Sequence, residues 1–280
     1  MNIKNAIEEG TNILKKNGIK SYSIDAEILM SKTIKQDRKY IILNLDVDLS
    51  LNSLKYFKKL IQQRSLGKPI AYITGQKEFW KYQFKITEGV LIPRPDTEII
   101  IEEVLKLTKN RSKLKLLDIG IGSGCILLSI LKEKKNFYGT GVDLSEKCLK
   151  LSKINALYHG LENRVKLFKS DIDNFNYGKY DLIISNPPYI NNINLKYLEK
   201  DVINFEPIMA LNGGLEGTSE IRKVINKSSE LIKRNGKLVL EIAFDQKEKV
   251  KMLLKKKGFY INKILKDFAK NDRCIISTKT

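Results

Sequence analysis

The sequence predicts an α/β protein in which a doubly wound, mostly parallel sheet follows a small, all-helical domain. From Lys113 onward, strand and helix patterns alternate, which is typical of a parallel sheet covered by helices on both faces. The last two strand patterns have no helix between them, so we expect an antiparallel hairpin at one edge of the sheet. Residues 1–73 show helical periodicity instead.

Length and hydropathy narrow the class of protein. A chain of 280 residues has room for two domains of unequal size. No apolar stretch approaches the roughly 20 residues of a membrane span, and Glu8 and Glu9 lie where a secretory signal would be apolar. We therefore expect a cytoplasmic protein without membrane contact. The single His159 and three widely spaced cysteines predict no metal site and no imidazole-based chemistry.

The charge balance is strongly basic. Lysine and arginine number 51 against 32 acidic residues, which gives a net charge of +19. Such a surplus indicates a polyanionic partner, or it reflects the base composition of the gene, and the sequence favours neither. Direct binding of nucleic acid is compatible with the sequence but not required by it, and we expect a monomer.

Residues 1–73 are predicted to form the helical domain. An apolar stripe through Ile3, Ile7 and Leu14 precedes a break at Asn17, and Leu51–Arg64 has a clear amphipathic pattern. No catalytic combination of side chains occurs in this segment. We therefore expect it to recognise a substrate rather than to carry out chemistry.

Residues 74–95 are predicted to form a β-hairpin linker between the two domains. The stretches Ile70–Ile73, Glu78–Ile86 and Val90–Ile92 are rich in residues that favour strands, and glycines lie between them. Asp96 is then expected to cap the following helix.

The third segment, residues 96–280, carries the alternating strands and helices. The seven predicted strands are Leu114–Asp118, Phe137–Asp143, Val165–Lys169, Leu182–Ser185, Leu238–Ile242, Tyr260–Leu265 and Cys274–Thr278. Their order and spacing predict a Rossmann-like, seven-stranded sheet whose ligand site lies at the carboxyl ends of the strands.

A glycine-rich turn follows the first of these strands. It consists of Gly120, Ile121, Gly122, Ser123 and Gly124. Glycines let a ligand approach the backbone closely, and the start of the next helix offers free N–H groups. A dinucleotide-binding turn would have its third glycine at position 125, where this chain has Cys125. The pattern therefore favours S-adenosylmethionine over NAD as the cofactor.

Two acidic residues end the next two strands. Asp143 lies 19 residues beyond Gly124, and its carboxylate can accept both hydroxyls of an adenosine ribose. Asp171 can accept from an adenine amino group while Ile172 packs on the base. Alternatively, Asp171 simply caps the turn at the end of its strand.

The tetrapeptide Asn186-Pro187-Pro188-Tyr189 follows the fourth strand and is the most specific signal in the chain. Two prolines stiffen the backbone, so the Pro187 carbonyl and the Asn186 side-chain carbonyl can converge as two fixed acceptors. Such a pair suits a planar –NH₂ group, whose delocalised lone pair makes it a poor nucleophile that must be oriented precisely. We expect Tyr189 to form a wall of this pocket.

Together these motifs resemble the class I S-adenosylmethionine-dependent methyltransferases that modify planar –NH₂ groups. Further segments narrow the resemblance to the peptide chain release factor glutamine N5-methyltransferases of the HemK/PrmC type. These segments are Pro69–Gly75 with Glu78–Trp80, Leu91–Glu98, and Phe205-Glu206-Pro207. The resemblance covers nearly the whole chain.

The resemblance implies a reaction and a set of site residues. That family methylates the glutamine of the Gly-Gly-Gln loop in class 1 release factors. By resemblance, Gly120–Gly124 and Asp143 hold S-adenosylmethionine, with Asp171 or Ile172 near the adenine. Asn186 would contact both cofactor and substrate, and Asn186–Tyr189 would hold the glutamine amide.

Three alternatives remain from the residues. A ribosomal-protein glutamine methyltransferase shares the tetrapeptide, but Arg94–Glu98 favours the release factor enzyme. An adenine-N6 methyltransferase of DNA or RNA needs a recognition region, and residues 191–206 are too few to form one. A non-catalytic, translation-associated RNA-binding module would have no reason to combine Gly120–Gly124 with Asp143 and Asn186.

Overall fold

The computed structural model describes all residues from 1 to 280 and divides into two compact units. The helical unit comprises Met1–Gly75 and Glu199–Phe205, and the sheet unit comprises Gln76–Leu198 and Glu206–Thr280. No helix in the molecule combines the length and the apolar character that crossing a bilayer requires.

Helices and strands follow one another along the chain, with short 3₁₀ turns between some of them. The helices are α1 (Ile3–Lys16), α2 (Tyr22–Ile34), α3 (Arg38–Leu43), α4 (Leu51–Ser65), α5 (Ile70–Thr74), α6 (Glu98–Leu107), α7 (Cys125–Glu133), α8 (Glu146–Tyr158), α9 (Lys200–Phe205), α10 (Ser219–Leu231) and α11 (Lys247–Lys256). The strands are β1 (Gln76–Phe79), β2 (Tyr82–Lys85), β3 (Lys115–Ile119), β4 (Tyr138–Asp143), β5 (Val165–Lys169), β6 (Tyr180–Ser185), β7 (Ile232–Glu241), β8 (Phe259–Lys266) and β9 (Asp272–Lys279).

The helical unit has its own hydrophobic core, built from the apolar stripes of its helices. Ile3 and Leu14 of α1 pack with Leu29 of α2 and with Phe57 of α4, and all four are buried. A Cβ atom at Gly10 would lie only 2.8 Å from the Ile61 side chain, so glycine there allows α1 to approach α4 closely.

The predicted strand at Ile70–Ile73 is wrong, because these residues form the short helix α5. Ala71, Tyr72 and Ile73 are all buried, and burial on successive positions does not distinguish a short helix from a strand. The hairpin is confined to β1 and β2, and Val90–Ile92 forms no strand.

The expected helix cap at Asp96 is also wrong. Asp96 lies inside a single 3₁₀ turn, Pro95–Thr97, and α6 begins directly after it without a side-chain cap.

The sheet unit confirms the predicted fold class. Its seven strands lie in the order β5-β4-β3-β6-β7-β9-β8. The first five of these pair in parallel, whereas β9 pairs antiparallel with both β7 and β8. The carboxyl ends of β3, β4, β5 and β6 therefore lie along one edge of the sheet, where ligands bind in folds of this type.

A buried ion pair stabilises the helical unit. The Arg64 Nε donates to Asp25 Oδ2 at 2.6 Å, and both side chains are less than a tenth exposed. The same guanidinium also donates to the Gly67 and Lys68 carbonyls, and the Ser21 hydroxyl donates to Asp25. The pair thus ties α2 to α4 and to the loop that leads into α5.

Replacing Arg64 with methionine should destabilise the helical unit by about 3 kcal/mol, because the Asp25 carboxylate would remain buried without its cationic partner. Chemical denaturation of the full chain, followed by circular dichroism, measures this loss. The matched control is Lys58→Met, which removes an exposed ion pair with Glu9 and should cost less than about 1 kcal/mol. Equal losses in the two variants would contradict the role given to Arg64.

Candidate active site

The glycine-rich turn joins β3 to α7 and is held in place by polar contacts. Gly122 donates its N–H to Asp143 Oδ2 at 2.9 Å, and its carbonyl accepts from the Ser152 hydroxyl at 2.8 Å. Gly124 has a φ of +84°, and a Cβ atom there would lie 2.9 Å from Leu128. The turn therefore needs glycine at this position for both backbone conformation and packing.

Asn155 of α8 connects the glycine turn to the hairpin. Its buried amide donates to the Ser123 carbonyl at 2.8 Å and to the Lys85 carbonyl at 3.0 Å, and it accepts from the Lys85 N–H at 2.8 Å. The amide thus forms three hydrogen bonds, which fix the turn against β2. Sequence reasoning missed this residue, because nothing in the helical pattern of α8 marks a polar core position.

The Asp143 carboxylate lies at the end of β4 and accepts two backbone hydrogen bonds. Oδ2 accepts from Gly122, and Oδ1 accepts from the Ser145 N–H at 2.8 Å. Burial raises the pKa of Asp143 above its ordinary value, and the two N–H donors oppose that shift. Each oxygen keeps a further lone pair, so the carboxylate can still accept from a ligand hydroxyl.

At the end of β5, Asp171 caps the following turn and also lines the cleft. Its Oδ1 accepts from the Asp173 N–H at 3.0 Å and so caps the 3₁₀ turn Ile172–Asn174. Asp171 and Ile172 also line the cleft described below. Capping the turn therefore does not remove Asp171 from the cleft.

The tetrapeptide after β6 is anchored at both of its ends. The Asn186 Nδ2 donates to the Thr97 hydroxyl at 3.1 Å. The Tyr189 carbonyl accepts from the buried Gln246 side chain at 2.9 Å, and the Tyr189 hydroxyl donates to Glu241 Oε1 at 3.3 Å. These contacts fix the path of the backbone through the two prolines.

A cleft of about 390 Å³ opens at the carboxyl edge of the sheet, within the size range of small-molecule sites. The predicted site residues that line it are Gly120, Gly122, Asp143, Asp171, Ile172, Asn186, Pro187 and Pro188. Four others do not line it: Ile121, Ser123, Gly124 and Tyr189. Ile121 and Ser123 are buried in the fold, and the Tyr189 ring packs against the core with its hydroxyl on Glu241.

Other cleft residues were not predicted from the sequence. Pro207 and Met209 lie in the segment after α9, and Lys223 comes from α10. The buried Glu206 anchors this segment by accepting from the Arg94 guanidinium and from the Ile92 N–H. Glu206 and Pro207 belong to a motif that the sequence did single out, whereas no pattern marks Lys223.

Two acidic side chains, Asp118 and Glu241, are buried next to residues of the site. Burial raises the pKa of Asp118, in β3, to about 7, and the nearby Asp143 carboxylate adds to the shift. Burial likewise raises the pKa of Glu241, at the end of β7, to about 7, and Arg273 opposes that shift. No cluster of three His, Cys, Asp or Glu side chains that could hold a metal ion is present.

Comparison with known proteins assigns the family. A family model described as the PrmC N-terminal domain matches residues 5–75, and one described as the methyltransferase small domain matches residues 96–263. The release factor glutamine methyltransferase of Clostridium acetobutylicum is 37% identical over 282 residues, spanning 100% of this chain and 99% of that protein. The chain belongs to the release factor glutamine methyltransferase family.

Further comparisons give a second relative in this family and two solved structures of similar fold. The release factor glutamine methyltransferase of Clostridium botulinum is 38% identical over 282 residues, with all of both chains covered. A methyltransferase structure from Pyrococcus furiosus superposes with a TM-score of 0.52 at 20% identity, covering 70% of this chain and 88% of that one. A ribosomal protein L11 methylase from Lactobacillus delbrueckii subsp. bulgaricus gives a TM-score of 0.51 at 17% identity, covering 67% and 81%. These two likenesses support the fold.

Replacing Asp118 with asparagine should stabilise the protein more at pH 8 than at pH 5. The folded state holds the proton of Asp118 up to about pH 7, whereas an unfolded Asp loses it near its ordinary pKa of 3.8. The wild type therefore loses stability as the pH rises between these values, by up to about 4 kcal/mol, and the asparagine variant does not.

Thermal unfolding of both proteins at pH 5 and at pH 8 measures this effect. The exposed Asp245→Asn serves as the control and should keep the wild-type dependence on pH. An Asp118→Asn gain that is equal at the two pH values would show that Asp118 is not protonated in the fold.

Proposed function

We propose that this protein transfers the methyl group of S-adenosylmethionine to the side-chain amide nitrogen of the glutamine in the Gly-Gly-Gln loop of class 1 release factors. The full-length similarity to release factor glutamine methyltransferases supports the substrate. The observation that carries the chemistry is the position of Asn186 and Pro187 in the cleft at the carboxyl end of β6.

The tetrapeptide offers two acceptors to a substrate amide. The Asn186 Nδ2 is engaged by Thr97, which leaves Oδ1 for the cleft, and the Pro187 carbonyl accepts no hydrogen bond from the protein. A carboxamide nitrogen carries two N–H donors, so two fixed oxygens can hold both of them. Held in this way, the nitrogen is oriented before the reaction begins, which lowers the entropic part of the barrier.

Other residues of the cleft are suited to hold an adenosyl group. Gly120 presents open backbone with no atom within 4 Å of the place where a Cβ would lie. Asp143 can accept from ribose hydroxyls, and Asp171 and Ile172 offer an acceptor and an apolar surface to a base. When bound, S-adenosylmethionine supplies an electrophilic methyl group on its sulfonium.

The helical unit is the candidate for recognition of the folded release factor. It carries several exposed apolar side chains, among them Ile42, Leu43, Leu51 and Leu66. Exposed apolar side chains contribute to protein-binding surfaces where they form a contiguous patch. Release factors act on ribosomes, so this proposal places the enzyme in the cytosol.

Incubation of the purified protein with labelled S-adenosylmethionine tests the proposal. Separate reactions should contain a class 1 release factor, a ribosomal protein fraction and DNA, and mass spectrometry should locate the added methyl group. We expect methylation of the release factor glutamine. Methyl transfer only to ribosomal protein or only to DNA would replace the proposed substrate, and no transfer to any of them would contradict an enzymatic role.

Asp143→Ala should weaken the binding of S-adenosylmethionine roughly 10- to 100-fold, because a charged acceptor of ribose hydroxyls is lost. Isothermal titration calorimetry on the full chain measures the change. The control is Asp245→Ala on the exposed surface. An affinity equal to that of the wild type would remove Asp143 from the cofactor site.

Asn186→Ala should lower kcat for release factor methylation roughly 100- to 1,000-fold, because one of the two fixed acceptors for the substrate amide is lost. Steady-state kinetics with labelled cofactor provide the measurement, and thermal unfolding confirms that the variant is folded. Asn110→Ala, an exposed asparagine, is the matched control. Wild-type turnover in Asn186→Ala would contradict the proposed grip on the amide.

A further inference from the structure

The orientation of the Asn186 amide depends on a residue outside the cleft. Its Nδ2 donates to the hydroxyl of Thr97 at 3.1 Å, and no protein group donates to its Oδ1. Thr97 is only 2% exposed and does not line the cleft. Whatever fixes the hydroxyl of Thr97 therefore also fixes which end of the Asn186 amide faces the cleft.

Glu241 lies on the other side of Thr97. This carboxylate is 2% exposed, and the Thr97 hydroxyl is close enough to favour its charged form. Its Oε1 accepts from Tyr189, whereas Oε2 has no partner at normal hydrogen-bond geometry. A buried carboxylate requires hydrogen-bond donors, and the hydroxyls of Thr97 and Tyr189 are the two side-chain donors that stabilise the charge of Glu241. Arg273 lies nearby and also favours the charged carboxylate.

The direction of these hydrogen bonds follows from counting protons. A threonine hydroxyl has one proton to donate and lone pairs to accept with. If the proton goes to Glu241, Thr97 can only accept from Asn186, so the amide nitrogen must face Thr97. The Asn186 oxygen then faces the cleft.

The reversed amide would be unfavourable for two reasons. It would require the Thr97 proton for Asn186 Oδ1, which would leave the buried Glu241 without that donor. It would also turn N–H groups towards the cleft, where they would meet the N–H groups of a substrate amide.

We propose that Thr97 and Glu241 are positioning residues that set the direction of the Asn186 amide, so that its oxygen and not its nitrogen meets the substrate. This inference rests on the proposed function and deepens it. Glu241 also accepts, through Oε1, a hydrogen bond from the Tyr189 hydroxyl. One buried carboxylate thus fixes the side chains at both ends of the segment from Asn186 to Tyr189.

Two substitutions at Thr97 separate this role from simple packing. Thr97→Val keeps the shape and removes the hydroxyl, whereas Thr97→Ser keeps the hydroxyl. At pH 8, where Glu241 is charged, Thr97→Val should lower kcat roughly 10- to 100-fold, with the KM for release factor and the calorimetric affinity for S-adenosylmethionine nearly unchanged. Thr97→Ser should stay close to wild type. A wild-type kcat in Thr97→Val, or equal losses in both variants, would overturn the proposal.

Thr108→Val is the matched control. Thr108 is also a buried threonine, and its hydroxyl donates to the Val104 carbonyl at the end of α6. The Thr108→Val variant should leave kcat unchanged.

A double-mutant cycle tests whether Thr97 and Glu241 act together. The amide introduced by Glu241→Gln can either accept a hydrogen bond from Thr97 or donate one to it. This variant should therefore no longer select one direction of the Asn186 amide, and its kcat should fall. The loss of kcat in the double variant Thr97→Val/Glu241→Gln should be smaller than the product of the two single losses, because both changes break one chain of hydrogen bonds and only the contact of Glu241 with Tyr189 is separate. Losses that multiply would show independent roles and overturn the proposal.

An NMR readout keeps the inference separate from the proposed function. The side-chain amide signal of Asn186, assigned by its loss in Asn186→Ala, should show one hydrogen-bonded proton that shifts upfield in Thr97→Val and not in Thr97→Ser. An unchanged signal in Thr97→Val would overturn the relay even if the wild type methylated no release factor. Conversely, the wild type could be found to methylate the release factor while Thr97→Val has the same turnover. That result would support the proposed function and overturn the positioning role of Thr97.

Discussion

The parallel pairing of β3 with both of its neighbours determines where every part of the site lies. In the sheet register, Ile119 is opposite Val142 on one side and opposite Ser185 on the other. The glycine turn, Asp143 and Asn186 each begin at the next residue. Three segments that are far apart in the sequence therefore reach the same edge at the same depth, and one row of backbone hydrogen bonds sets their spacing.

Buried polar side chains then fix the loops that this register brings together. Ser152, Asn155 and Gln246 each bind backbone groups of a loop rather than one another. A loop whose carbonyl and N–H groups are satisfied in this way does not need a ligand to become ordered. The acceptors of the cleft are thus oriented by the fold, which is the condition under which fixed dipoles contribute most to a reaction.

Local patterns in the sequence accounted for the sheet and for the cleft residues that directly follow strands β3 to β6. Strand cores such as Leu182–Ser185 are continuous apolar runs that end in turn residues, and their chemistry-bearing residues follow directly. The pattern failed at Ile70–Ile73, where burial on consecutive positions fits a short helix as well as a strand. It also misplaced Tyr189, since the direction of a side chain after two prolines depends on the core behind it.

The hydrogen bonds from Asn186 to Thr97 and from Tyr189 to Glu241 could not be predicted from the sequence, because the residues of each pair are more than fifty positions apart. Glu241 lies within the predicted strand Leu238–Ile242, and only the packed structure shows that its carboxylate is buried. The same holds for Asp118, which sequence alone presents as the end of a strand. Tertiary burial, and not residue type, gives these carboxyl groups their unusual proton affinity.

The helical unit takes up Glu199–Phe205 from the middle of the sheet unit, so the polypeptide passes between the units at three places. Lys20 makes an ion pair with Glu199 within that unit. A single protease cut in the hairpin would therefore break the direct chain connection between the N-terminal fragment and α9, which belong to one compact unit. Gene dissection at one boundary would likewise separate α9 from the helices that belong to the same compact unit.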